Sequence, residues 1–195
     1  MKKYIIFDLD WTLINSNNNI KEIIFDYFKI NDIENYDKVR YTLDFDKISS
    51  IKELLEYVYS GNEENIDKKH DEIYKYLDEK NHKSKFIDWT IKKIIELKDR
   101  YKLYLSTWSS TKFAEEILEI WWIKKYFEII LWSEKIQKSE EHLDIFMEKS
   151  NDPNFFQLSI SIWDSPKDEY FAKQRNINFI KIWEKYKSIS DIKNI

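Results

Sequence analysis

Four consecutive β-formers, Tyr4-Ile5-Ile6-Phe7, stand ahead of a polar stretch and are too few for a helix, so they predict a short buried strand. Beyond the polar break at 15–19 the spacing becomes helical. Ile20, Ile23, Ile24, Tyr27 and Phe28 fall on one face, and Ile51, Leu54, Leu55, Val58 and Tyr59 repeat the pattern. Ile66, His70, Ile73, Tyr74 and Leu77 form a third stripe, so 15–85 reads as an all-helical unit. After residue 86 the rhythm alternates. Helices are predicted around 91–98, 112–119, 142–149 and 167–175, and strands at 103–105, 127–131, 158–162 and 179–182. Strands separated by helices of that length imply a three-layer α/β fold with a parallel sheet. The first strand belongs to that sheet. The chain therefore divides into a core, 1–14 and 86–195, and an inserted helical domain, 15–85.

Composition narrows the function. Of 195 residues, 43% are hydrophobic and 17% aromatic, enough for a real core. Lys plus Arg number 32 against 36 Asp plus Glu, and the insertion itself holds 12 against 16, so no basic surface suggests a nucleic-acid partner. Without cysteine there is no disulfide, thiolate metal site or catalytic thiol. Lys2 and Lys3 before an apolar run imitate a signal peptide, but Asp8 cuts that run after four residues. No apolar run approaches the roughly 18 residues of a membrane span. A soluble cytoplasmic protein is expected; its oligomeric state stays open.

In open parallel sheets ligands bind beyond the carboxyl ends of the strands, and four predicted ends carry polar side chains. The first reads Asp8-Leu9-Asp10-Trp11-Thr12. Its two carboxylates, two positions apart on extended chain, share a side and repel, which favours a cation or a shared proton. The second, Ser106-Thr107-Trp108-Ser109-Ser110, is a hydroxyl-rich turn into a helix, where free N–H groups suit a phosphate. Lys135 and Lys138 precede the third helix of the alternating region, and Asp164-Ser165-Pro166-Lys167-Asp168 opens the fourth. A second D-x-D, Asp44-Phe45-Asp46, follows no apolar strand and reads as a loop. Ser106 could equally serve as a helix cap. His70 reads as a packed histidine, and His82 and His142 lack metal-ligand spacing.

In their order and strand context these segments resemble the four motifs of the haloacid dehalogenase-like (HAD) superfamily. The family pattern is D-x-D-x-T, a strand-end Ser or Thr, a Lys, and G-D-x-x-x-D. Here these positions look like Asp8/Asp10/Thr12, Ser106, Lys138 and Asp164/Asp168. The resemblance implies a Rossmann-like HAD core, with the helical insertion standing where the family's C1-type cap lies. It also implies a phosphoric monoester hydrolase that uses Mg²⁺ and an aspartyl-phosphate on a small phosphorylated metabolite. Asp8 would be the nucleophile and Asp10 the acid–base. Mg²⁺ would sit on Asp8, the Asp10 backbone carbonyl and Asp164. Ser106, with Thr107 beside it, and Lys138 would bind the phosphoryl oxygens, with Thr12 and Asp168 supporting. Lys135, three residues away, rivals Lys138, and Ser139 stands where the family often has a proline after this lysine. Asp10 argues against the dehalogenase branch, which needs no acid there. Two alternatives stay open: a phosphomutase on the same core, and a non-catalytic binding protein.

Glycine is nearly missing. A chain of this length would hold roughly 14; this one holds Gly61 alone, beside eight tryptophans. Several tryptophans stand where the family pattern or a turn favours glycine. Trp11 lies in D-x-D-G-T, Trp163 in G-D-x-x-x-D and Trp108 in the second motif; Trp89, Trp122, Trp132 and Trp183 fall at element ends. A source that reads UGA as glycine, written out with UGA as tryptophan, would give this pattern. The alternative is eight true tryptophans. Any of them at φ > 0 would cost about 1–3 kcal/mol of strain, and Trp163 is expected to crowd the turn that carries Asp164.

Overall fold

The computed structural model describes residues 2–44, 51–60, 63–80, 85–133, 136, 138–183 and 186–192. It falls into two units, residues 1–16 with 84–195 and residues 17–83.

In the first unit, β1 (Tyr4–Phe7), β4 (Lys102–Thr107), β5 (Phe127–Trp132), β6 (Ser159–Trp163) and β7 (Asn178–Lys181) form one sheet in the order β5-β4-β1-β6-β7. Every neighbouring pair is parallel. Such a sheet is covered on both faces, which suits a continuously apolar strand such as β1, all four of whose residues are buried. One face packs on α5 (Thr90–Lys98) and α6 (Thr111–Ile120): Phe7, Leu105 and Ile162 meet Ile94, Leu97, Phe113 and Ile117. The other carries α7 (Glu140–Ser150), α8 (Phe155–Leu158) and α9 (Pro166–Gln174), where Ile6 and Tyr104 meet Phe146, Phe155 and Phe171. This is the expected three-layer α/β core.

The second unit consists of α1 (Asn17–Asn31), α2 (Ile33–Asp44), α3 (Ile51–Tyr59) and α4 (Glu63–Lys80) around its own core of Ile24, Phe28, Val39, Leu55 and Ile73. Helix α2 lies in the predicted helical unit but carries none of its three apolar stripes, and Asp44 closes it instead of lying in a loop; Asp46 lies outside the described residues. The polar break at 15–19 is also shorter than expected, since α1 begins at Asn17. Two short strands, β2 (Ile14–Asn15) and β3 (Lys85–Phe86), pair antiparallel where the chain leaves and re-enters the core. Among the described residues no helix is long and apolar enough to cross a membrane.

Candidate active site

Strand β1 is central, and successive strands are added on either side of it, so the order reverses around its carboxyl end. That is where open α/β sheets leave a crevice. Phe7 pairs with Leu105 on one side and Ile162 on the other, which brings Asp8 level with Ser106 and Trp163. Strand alternation turns Asp8 toward the face covered by α7 and α9. There it meets Lys138, whose Nζ lies 2.9 Å from Asp8 Oδ2 and 3.0 Å from Asp168 Oδ2. Lys138 comes from the residue before the Ser139 N-cap of α7, and Asp168 from the first turn of α9. That helix is started firmly: Pro166 occupies its first turn, and Ser165 Oγ accepts from the Asp168 amide.

Asp8, Asp164 and Asp168 each offer a carboxylate oxygen, all within 4.8 Å of one another. Burial is the largest influence on Asp8 and pushes it well above the usual carboxylate range; Lys138 opposes this, while Asp168, Asp164 and Asp10 add to it. Asp164 is pushed up to about 6, again by burial first, with Lys138 opposing and Asp168 and Asp10 reinforcing. Lys138 is itself desolvated, yet its two carboxylate partners outweigh that and raise it, so it stays charged. One ammonium does not neutralise three carboxylates. Asp168 Oδ1 is moreover buried with no protein partner. Crowded, desolvated oxygens with spare lone pairs are the donor set a hard divalent cation takes, so these residues fit Mg²⁺. The carboxylate completing the trio is Asp168; the side chain of Asp10 points elsewhere.

Asp10 Oδ2 accepts from Ser109 Oγ at 2.5 Å and from Thr107 Oγ1 at 3.3 Å, whereas its Oδ1 is buried without a partner. The two candidate hydroxyls of β4 thus separate. Thr107 points to Asp10, while Ser106 Oγ lies 2.9 Å from His142 Nδ1 on the α7 side. His142 Nε2 lies 2.9 Å from the Ile136 carbonyl, which can only accept, so Nε2 carries the proton and Nδ1 accepts from Ser106. Burial lowers the His142 pKa, which keeps this neutral form. The helix cap in this turn is Ser110, accepting from the Phe113 amide. Thr12 is buried with an unpartnered Oγ1. Lys135 lies outside the described residues.

Three hydrogen-bonding roles leave no signature in the sequence, although Ser109 lies in the hydroxyl-rich turn noted above. Ser109 holds Asp10, His142 holds Ser106, and Ser133 at the end of β5 donates to the Thr107 carbonyl and accepts from the Lys138 amide, both at 3.1 Å. A hydroxyl bonding across strands leaves no spacing to read. Trp163 also differs from expectation. It ends β6 in extended chain, with its indole buried, Nε1 unpartnered and Lys138 Nζ 4.9 Å from the ring. It packs under the site and does not crowd a left-handed turn.

Residues 5–182 match the family model of haloacid dehalogenase-like hydrolases. Among solved structures, a predicted phosphatase from Clostridium acetobutylicum is 23% identical, with a TM-score of 0.71 over 94% of this chain and 85% of that one. CbbY from Rhodobacter sphaeroides, in complex with phosphate, is 15% identical with a TM-score of 0.67 over 96% and 93%. The HAD hydrolase-type protein YfnB from Bacillus subtilis, bound to magnesium, is 16% identical with a TM-score of 0.63 over 100% and 92%. No curated protein sequence gave a significant match.

Proposed function

Because the chain belongs to the haloacid dehalogenase-like hydrolase family, we propose that it is a phosphatase acting on a small phosphorylated metabolite through an aspartyl-phosphate. The observation that carries this reading is the buried arrangement at the end of β1. Lys138 bridges Asp8 and Asp168, with Asp164 in the same carboxylate cluster and Asp10, two residues on, held by Ser109 and Thr107.

Asp8 is the nucleophile. Its Oδ1 accepts from the Leu9 amide at 2.7 Å and its Oδ2 is paired with Lys138, so the carboxylate is held in one orientation. An Asp8 oxygen forms a bond to phosphorus while the bond from phosphorus to the leaving oxygen breaks. Asp10 gives its proton to that leaving oxygen. A water then attacks phosphorus, Asp10 takes the proton from it, and Asp8 is released with inorganic phosphate. The bonds from Ser109 and Thr107 occupy Asp10 Oδ2 and leave the unpartnered Oδ1 to carry the proton. Lys138 offsets the charge that builds on the phosphoryl oxygens. Thr107, with its Oγ1 toward Asp10, is the better placed of the two β4 hydroxyls to meet the phosphoryl group.

Mg²⁺ would be held by Asp8 and Asp164, with Asp168 beside them, and would supply charge neutralisation between an anionic nucleophile and an anionic substrate. Magnesium in YfnB and phosphate in CbbY support this reading at the level of the shared fold. The helical insertion stands where a C1-type cap belongs, and the acidic balance noted above suits a small substrate better than a polyanion.

The test is release of inorganic phosphate from a panel of sugar and nucleotide phosphomonoesters with Mg²⁺. Asp8→Asn is expected to lower turnover roughly a hundredfold or more while circular dichroism shows the fold retained. Retention of more than about a tenth of the activity would remove Asp8 from the nucleophile's role.

A further inference from the structure

Seven non-glycine residues among those described have positive φ: Trp11, Ser60, Trp89, Trp122, Asn151, Asn176 and Trp183. Asparagine tolerates this region; a bulky aromatic rarely does. Four of the seven are tryptophans, yet only eight of 195 residues are tryptophan, so random placement would put fewer than one there.

The local geometry is specific. Helix α6 ends in a Schellman motif, in which the Trp122 amide bonds to the Glu119 carbonyl and the Ile123 amide to the Leu118 carbonyl. Trp122, with φ 59°, holds the C′ position that glycine usually fills. Helix α9 ends in the same two bonds, from Asn176 to Lys173 and from Ile177 to Ala172, and there the C′ residue is an asparagine. Trp89 opens α5 with φ 65° and no side-chain cap. Trp11, with φ 61°, closes a turn in which its amide bonds to the Ile14 carbonyl. Trp183, with φ 70°, closes another by bonding to the Tyr186 carbonyl. Buried packing does not compensate, since Trp89, Trp122 and Trp183 are 70%, 75% and 48% exposed.

We propose that the residue the organism places at 11, 89, 122 and 183 is glycine, encoded by UGA, and that tryptophan stands there only because UGA has been read by another code. Any of Trp108, Trp121, Trp132 and Trp163 that shares the triplet follows the same assignment. For the site, this removes the indole next to Asp10. The Trp183 Nε1 bond to the Trp11 carbonyl goes with it, as does the edge-to-face pair of their rings. The backbone after Asp10 is left bare. The inference is independent of the phosphatase reading, because none of its readouts is an activity.

The gene and the source's own protein decide it. UGA at all four positions is expected, with peptides from protein purified from the source carrying glycine there, lighter by the difference between an indolylmethyl group and a hydrogen. UGG at these positions overturns the proposal, and so does UGA with peptides that carry tryptophan. A recombinant series checks the physical argument at Trp122. Trp122→Gly is expected to raise the melting temperature by roughly 2–4 °C, whereas Trp122→Ala, which loses the indole but keeps Cβ, gives no comparable gain. No rise with glycine, or an equal rise with alanine, would overturn the conformational basis.

Discussion

At the residue scale the site is a problem in crowded charge. A buried ammonium needs partners, and Lys138 has two, but Asp8, Asp164 and Asp168 together exceed what it can neutralise. Without a cation and above about pH 6, then, the ionised Asp164 carboxylate opposes folding. Its carboxyl is pushed up to about 6 from an ordinary 3.8, so the folded state holds the proton more tightly. The stability this contributes is present at low pH and is lost as pH rises through that window. Asp164→Asn should therefore raise the metal-free melting temperature at pH 7.5 by a few degrees and abolish the further rise that Mg²⁺ gives the unaltered protein. Calorimetric titration with Mg²⁺ checks the second half, and unchanged affinity would take Asp164 out of the metal set. Asp8, Asp10, Asp164 and Asp168 were legible because carboxylates at strand ends and helix starts follow a spacing. The bonds that Ser109, Ser133 and His142 make to Asp10, Thr107 and Ser106 were not, because those partners are 99, 26 and 36 residues away.

At the element scale legibility follows apolar density. Tyr4–Phe7 could hardly be missed, as every residue is a β-former and buried. Helix α2 hides because it is largely polar: Val39 is its fully buried apolar anchor, while Ile33 and Tyr41 are exposed. Strands β2 and β3 are two residues each, too short for any period to register. The carboxyl end of β5 deserves a direct test, since Ser133 fastens both β4 and the residue that carries the site ammonium. Ser133→Ala removes two hydrogen bonds and should cost about 1–2 kcal/mol of stability. If Lys138 depends on that anchor, kcat/KM for a phosphomonoester should fall roughly fivefold or more. An unchanged kcat/KM alongside the lost stability would show that the lysine is held without it.

At the scale of the whole molecule, the two units keep separate cores, one built on the sheet and one among α1 to α4. A chain in which a short Gly/Ser linker replaces residues 17–83 should still unfold in a single cooperative transition, with the α/β signature in its circular dichroism. A broad, non-cooperative melt would mean that the sheet unit needs the insertion in order to fold. The reason to expect success is the β2–β3 ribbon, where Asn15 and Lys85 are paired across antiparallel strands. An excursion that starts and finishes at one strand pair has its ends closed by the core already, so its length adds little closure entropy. The ribbon therefore works as a socket. Recombination can exchange, shorten or elaborate whatever is plugged in between those two residues while the sheet and the carboxylate cluster of Asp8, Asp164 and Asp168 keep their own contacts.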